Sequence, residues 1–239
     1  MKIKVLSWML DLIFPIKCIF CGLISKKGAY ICKKCSRSIL IRKSFECIGC
    51  KKPVQLGQTC HICKKDFYID NLFVVGDYGD QKVKNMLKYF KFNFIKDLHS
   101  PVYHVMARYL SWLIKNKGFN LFKDNPLLIP VPLSRYRLNW RGFNQSELLC
   151  QDITTHMQFE SNTSLLSRIK SKPQTEIEAK SERQANIIGQ INFVGARLSN
   201  RDIILVDDIC TTGSTLNECA KVLKQNGAGK IYALVVARG

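Results

Sequence analysis

The chain has 239 residues, with 37 Lys and Arg against 18 Asp and Glu, a formal excess of +19, and an ordinary 46% apolar content. This balance excludes disorder as a description of the whole chain. At roughly 100 to 200 residues per domain, the length allows one medium domain with an appendage or two small ones. The apolar start from Val5 to Phe14 is broken by Ser7 and Asp11 and falls well short of the roughly 18 residues that span a bilayer. Lys2 and Lys4 ahead of it imitate a secretory signal, but no small-residue cleavage site precedes Pro15, Lys17 and Cys18. The sequence predicts no transmembrane segment and a cytoplasmic protein, with a place near the inner face of the membrane left open.

Eight of the 11 cysteines fall in four CxxC pairs: Cys18/Cys21, Cys32/Cys35, Cys47/Cys50 and Cys60/Cys63. Two such pairs complete the tetrahedral S4 set that structural Zn²⁺ prefers, so eight ligands imply two zinc ions. Taken in order, Cys18, Cys21, Cys32 and Cys35 close one knuckle over ten intervening residues, and Cys47, Cys50, Cys60 and Cys63 close another over nine. Sequential pairing is favoured, and a cross-braced arrangement joining the first pair to the third has compatible spacing. Disulfides are disfavoured in a cytosolic chain, and iron–sulfur ligand spacings differ from these regular pairs. Gly22 and Gly49 suit the tight turns around the ligands. His61 reads as a solvated loop residue, because four thiolates already fill each tetrahedron. Closed sites of this kind are structural, so no catalysis is assigned to them. Residues 1 to 65 hold 14 Lys and Arg against Asp11 and Glu46, a balance that suits contact with polyanions such as nucleic acid.

Beyond Cys63, Phe67 to Gly76 is rich in β-formers and predicts a strand. From Gln81 to Lys96 there are five lysines, no acid, and Tyr89, Phe90, Phe92 and Phe94. Val83, Leu87, Phe90 and Phe94 follow helical spacing, so a core-facing aromatic stripe under a lysine-covered face is favoured. The rival reading is an element presenting cations and rings to a single strand. Residues 101 to 116 continue as a second helix.

The run Ile203, Ile204, Leu205, Val206 predicts a buried parallel strand, with Asp207 and Asp208 at the end where open α/β sheets bind ligands. A helix is expected from Ser214 or Thr215, since Leu216, Ala220 and Leu223 recur at helical spacing. Gly227 and Gly229 end it, and Ile231 to Val236 supplies the next strand. Thr211, Thr212, Gly213, Ser214 and Thr215 place amides and hydroxyls at a helix start, a cradle for a phosphate dianion. The Lys of a Walker A loop is missing, which argues against a nucleotide triphosphatase. Two adjacent acids before such a loop suit a sugar phosphate, with the carboxylates on ribose hydroxyls.

The string VDDICTTGST resembles the phosphoribosyl pyrophosphate signature of type I phosphoribosyltransferases. Pro130, Val131, Pro132, Leu133, Ser134, Arg135 and then Arg141, Gly142, Phe143, Asn144, Gln145 resemble the PVPL…RGFNQ block of the ComF/ComFC family. Pro173, Gln174, Glu182, Arg183, Asn186 and the cysteine-rich start fit the same family. The resemblance implies an α/β fold of the type I phosphoribosyltransferase kind, a parallel sheet flanked by helices, with a small N-terminal zinc module. It also implies association with natural transformation after DNA has entered the cytoplasm, with single-stranded DNA and competence-machinery proteins as partners. By the same resemblance Asp207 and Asp208 lie on the ribose 2′- and 3′-hydroxyls as the catalytic pair. Thr211 to Thr215 surround the 5′-phosphate, Arg135 is a candidate pyrophosphate clamp, and Arg141, Asn144, Gln145, Arg183 and Asn186 are further candidates. Mg²⁺ is expected with phosphoribosyl pyrophosphate. Purine-salvage enzymes of this kind carry an aspartate where this chain has Thr211, which argues against a hypoxanthine-type mechanism.

The expected organisation is a double zinc-ribbon module at residues 1–66 and a phosphoribosyltransferase-like domain at 67–239. The expected function is that of a competence factor binding phosphoribosyl pyrophosphate and single-stranded DNA, with phosphoribosyl transfer possible in principle. A sensor or adaptor without turnover and a nucleobase salvage enzyme are the alternatives.

Overall fold

In the computed structural model, residues 15–25, 29–93, 95–169 and 189–239 are described. The apolar start, Phe94 and the motif positions Pro173, Gln174, Glu182, Arg183 and Asn186 lie outside the described residues. In chain order the elements are α1 (Lys33–Arg37), β1 (Asn71–Asp77), α2 (Gln81–Phe92), α3 (His99–Lys117), β2 (Leu127–Pro130), α4 (Arg135–Arg141) and α5 (Gln145–Met157). The short strands β3 (Leu166–Arg168) and β4 (Ile191–Phe193) follow, then β5 (Ile203–Cys210), α6 (Ser214–Gln225) and β6 (Ile231–Arg238).

Four strands form one parallel sheet in the order β1-β6-β5-β2, and β3 and β4 pair antiparallel apart from it. The central strands are apolar without interruption because both their faces are covered. Ile204 and Val206 of β5 join the core built by α2, α3 and α5. Ile203 and Leu205 join the core built by α6 and the β3–β4 pair. In α2 the residues that reach the core are Val83, Met86, Leu87 and Phe90, while Lys84 and Lys88 face solvent. The described members of the aromatic stripe, Val83, Leu87 and Phe90, are thus core packing, as their spacing suggests, and Phe92, which is not one of them, stands half-exposed.

The sheet ends unevenly, and that creates the cleft. β2 stops at Pro130, opposite Val206, and the last bond between the two strands is donated by the amide of Val131 to the carbonyl of Val206 at 3.0 Å. β5 continues to Cys210, paired only with β6 on its other side. The two acids therefore belong to the strand, four residues longer than its apolar run, and sit where the neighbouring strand has ended.

The cysteine-rich segment packs on both faces of this sheet. Ile31 and Ile39 of the first knuckle are buried in the α3-side core, and Ile48 of the second is buried in the α6-side core. Between them the chain passes the outer edge of β1, where the amide of Arg42 donates to the carbonyl of Val75 at 2.8 Å. An edge strand that would otherwise present free backbone groups is covered in this way. Arg108 of α3 donates to the carbonyls of Ser36 and Ile39 at 2.7 and 2.9 Å. The buried Arg238 of β6 pairs with Glu46 at 2.9 Å and donates to the carbonyls of Cys47 and Ile48.

Candidate functional site

The eight thiols form two separate quartets, Cys18, Cys21, Cys32 and Cys35, and Cys47, Cys50, Cys60 and Cys63, with the sulfurs of each within 4.8 Å of one another. Pairing is sequential, and the cross-braced alternative is excluded. The Cys21 and Cys32 sulfurs lie 3.9 Å apart and those of Cys50 and Cys60 3.8 Å apart. A zinc–sulfur bond of about 2.3 Å gives a tetrahedral edge of about 3.8 Å, whereas a disulfide needs about 2.0 Å. The donors therefore fit Zn²⁺, and both sites are structural zinc sites. Backbone support is equivalent in the two. The amide of Cys32 donates to Cys18 Sγ and that of Cys60 to Cys47 Sγ, each at 3.4 Å. Burial alone raises the Cys18 and Cys47 thiols, but amide donors outweigh it and bring both down to about 6. Burial and the neighbouring thiols push Cys35 and Cys63 up to about 12. Four thiolates so close together require a cation to share. Gly49 is required at the second site, since a Cβ there would lie 2.7 Å from Cys63 Sγ.

The second knuckle also forms the floor of the β5–α6 loop. Gly213 holds a left-handed conformation at φ +82°, and a Cβ on it would lie 3.0 Å from Ile48 Cγ1. Asn217 of α6 accepts from the amide of Tyr68 at 2.8 Å and donates to the carbonyl of Asp66 at 2.7 Å. Lys51 donates to the carbonyl of Gly239 at 3.0 Å, and the amide of Gly239 donates to the carbonyl of Cys210. A loop with little side-chain mass of its own is thereby held by the metal module.

A cleft of about 210 Å³ opens at the carboxyl ends of β2 and β5. Asp207, Asp208, Thr211 and Thr215 line one side, and Val131, Pro132 and Leu133 line another. Four cations converge on it from different elements: Lys91 of α2, Arg137 and Arg141 of α4, and Arg168 of β3. Lys91 Nζ pairs with Asp208 at 2.8 Å. Asp207 accepts from the Ser146 hydroxyl at 3.0 Å and from the amide of Asp208 at 2.8 Å. Burial and the neighbouring Asp208 charge push the Asp207 carboxyl up to about 7, against the pull of Lys91 and these two hydrogen bonds. Arg141 is 9% exposed, donates to Gln145 Oε1 at 3.2 Å, and leaves its buried Nε without a partner. Burial lowers its pKa, and the acid pair offsets part of that loss.

The phosphate-loop candidates are divided by the geometry. Thr211 and Thr215 face the cleft, whereas Thr212 and Ser214 share a hydroxyl contact at 2.8 Å and Gly213 makes the turn. Gly213 gives α6 no side-chain cap and the Ser214 amide donates to Thr212 Oγ1 at 3.3 Å, so it is the amides of the next residues, from Thr215 on, that face an anion. Arg135 opens α4 as an exposed residue and is not among those lining the cleft. Asn144 caps α5 and braces the loop, accepting from the Ser146 amide and donating to the carbonyl of Val131. Lys91, Arg137, Ser146 and Arg168 were not singled out by sequence. Ser146 follows a recognisable motif and Lys91 lies in an acid-free run, but nothing local marks Arg137 or Arg168.

These features define a parallel α/β protein with a cation-rich cleft and two tetrathiolate zinc sites. Residues 9–69 match the double zinc ribbon domain. Competence protein F of Haemophilus influenzae is 31% identical over 94% of this chain and 98% of its own length. The chain belongs to the competence protein F/ComFC family. Competence protein ComFC of Bacillus subtilis is 27% identical over 84% of this chain and 81% of its own, and the DNA utilization protein YhgH of Escherichia coli K12 is 26% identical over 87% and 90%. Among solved structures, a hypoxanthine phosphoribosyltransferase from Staphylococcus aureus is 15% identical over 59% of this chain and 64% of that one, with a TM-score of 0.35. An adenine phosphoribosyltransferase is 13% identical over 60% and 71%, with a TM-score of 0.36.

Proposed function

We propose that this chain is a competence factor that binds phosphoribosyl pyrophosphate with Mg²⁺ in the β5–α6 cleft and handles incoming single-stranded DNA in the cytoplasm. The observation that carries the reading is the meeting of two carboxylates, the start of helix α6 and four cations in one cleft. Acids suit the ribose hydroxyls, helix amides and Thr hydroxyls suit the 5′-phosphate, and Lys91, Arg137, Arg141 and Arg168 suit a pyrophosphate with its high charge. The oxygens of Asp207 and Asp208 are donors of the type Mg²⁺ takes, and the metal would supply neutralisation of pyrophosphate charge. Lys91 holds Asp208, and Ser146 orients Asp207. Of the two parts expected from sequence, residues 1–66 are assigned the metal sites and 67–239 the ligand. This division is supported by the fact that every zinc ligand precedes residue 66 and every cleft residue follows 67.

The test is calorimetry of the zinc-loaded chain with phosphoribosyl pyrophosphate and Mg²⁺, beside Asp207→Asn/Asp208→Asn, repeated with single-stranded DNA present. Binding in the wild type with a loss of tenfold or more in the variant is expected, on the order of 1.4 kcal/mol or above. An absence of binding to the wild type removes the reading. A carboxylate in place of Thr211 is missing from this chain, so a hypoxanthine-type mechanism is not proposed.

A further inference from the structure

The rim of the cleft carries a surface that the ligand reading leaves unexplained. Helix α4 has the sequence RYRLNWR, and no acidic residue occurs between Asp124 and Glu147. Tyr136 and Trp140 are four residues apart, so they share one face of the helix, and they are 69% and 50% exposed. Phe92, at the end of α2, is 49% exposed and its ring lies 6.0 Å from that of Trp140. The Arg141 guanidinium sits 5.5 Å from the Phe92 ring centre and 6.0 Å from that of Trp140. Arg135 is exposed beside Tyr136. Large rings exposed this far cost the unbound protein solvation unless a partner covers them. A surface that sets Arg141 against the rings of Phe92 and Trp140 calls for a partner that combines flat apolar faces with negative charge. Unpaired bases on a phosphate backbone have both properties, whereas an apolar protein groove would leave the arginines desolvated without anions.

We infer that the α4 face, with Phe92, is a stacking platform for the unpaired bases of a single strand. Arg135 meets its phosphates, and Arg141 joins the platform to the cleft. The inference rests on the single-stranded DNA part of the proposed function and gives that partner a location. A strand held there would lie beside the cleft, so a ligand in the cleft and a strand on the rim would share Arg141 and affect each other's affinity.

The experiment is fluorescence anisotropy of a short dye-labelled oligodeoxythymidine with the zinc-loaded full chain, across a salt series. Tyr136→Ala is expected to weaken binding on the order of tenfold, as loss of one stacked base does. Tyr136→Phe keeps the ring and is expected to bind as the wild type does. Arg135→Gln should reduce the salt slope by about one. Both positions are exposed, and a thermal melt verifies that each variant is folded. If the wild type binds the strand while Tyr136→Ala and Trp140→Leu bind equally well, the platform is overturned and DNA handling is assigned to another surface. Equal binding of a duplex of the same length, insensitive to Tyr136→Ala, overturns stacking in favour of charge alone. If the wild type binds no strand, the DNA part of the proposed function fails and the platform fails with it, whatever calorimetry finds for phosphoribosyl pyrophosphate.

Discussion

An ionised Asp207 costs the ligand-free protein stability, because its carboxyl is pressed between burial and the charge of Asp208, with Lys91 offsetting only part of that. Folding pushes the group up from its ordinary 3.8 to about 7. Between these values the folded state holds the extra proton, so stability falls as pH rises across the window, and the full penalty stands above about 7. Asp207→Asn preserves the side-chain oxygen that accepts from Ser146 and the Asp208 amide. It is expected to raise the melting temperature of the ligand-free chain at pH above 7 by roughly 2 to 4 °C, about 1 kcal/mol, and to leave it nearly unchanged at pH near 4. Differential scanning fluorimetry at the two pH values tests this, and equal melting curves for variant and wild type at both would show that Asp207 is not strained. Ligand binding has the opposite sign, since hydroxyls and Mg²⁺ need the carboxylate. A cleft acid kept at a stability cost is expected where function sets the residue.

Elements that are remote in the chain are coupled through single contacts. The β5–α6 loop depends on the second zinc knuckle through Ile48 under Gly213, through Asn217 on residues 66 and 68, and through Arg238 on the carbonyls of Cys47 and Ile48. The first knuckle instead leans on α3 through Arg108. Cys50→Ser is therefore expected to speed hydrogen exchange at the amides of 211–216, while Cys21→Ser loosens the α1–α3 contact and leaves that loop protected. Mass spectrometry of exchanged peptides separates the two, and equal deprotection of the loop in both variants would show that the knuckles act as one. Gly213→Ala adds a Cβ at a left-handed backbone position against Ile48 and should cost about 1 to 2 kcal/mol, readable in a thermal melt.

At the scale of the molecule, the two metal sites are part of the folded core, since isoleucines from both knuckles are buried in the two cores that sandwich the sheet. Zinc binding free energy is then folding free energy. A chelator should lower the melting temperature of the whole chain in a single transition, and excess zinc should raise it. Acid acts in the same direction as the chelator, because protons compete with the metal for thiolates. Two separate transitions, with only the first sensitive to chelator, would mean that the sheet folds without the knuckles. Among the described residues no helix is long and apolar enough to cross a membrane.

What was legible in the sequence is what depends on neighbours in the chain. CxxC spacing specifies a tetrathiolate, period and apolar runs specify β5, α6 and β6, and the acid pair followed by a Thr-Gly loop specifies a strand–loop–helix turn. Of the cleft's four cations only Arg141 was legible, because Lys91, Arg137 and Arg168 reach it from three elements whose local patterns describe only exposed or core-facing helices and a short strand. Arg135 shows the converse. Its place in the motif suggests a clamp, and the structure shows it exposed at the start of α4, while Arg137 and Arg141 of the same helix line the cleft. Which pairs of cysteines share a metal, where β2 ends relative to β5, and which knuckle supports the loop were decided by tertiary structure. Each of these is set by packing between residues far apart in the chain, and a linear pattern carries no distance between them.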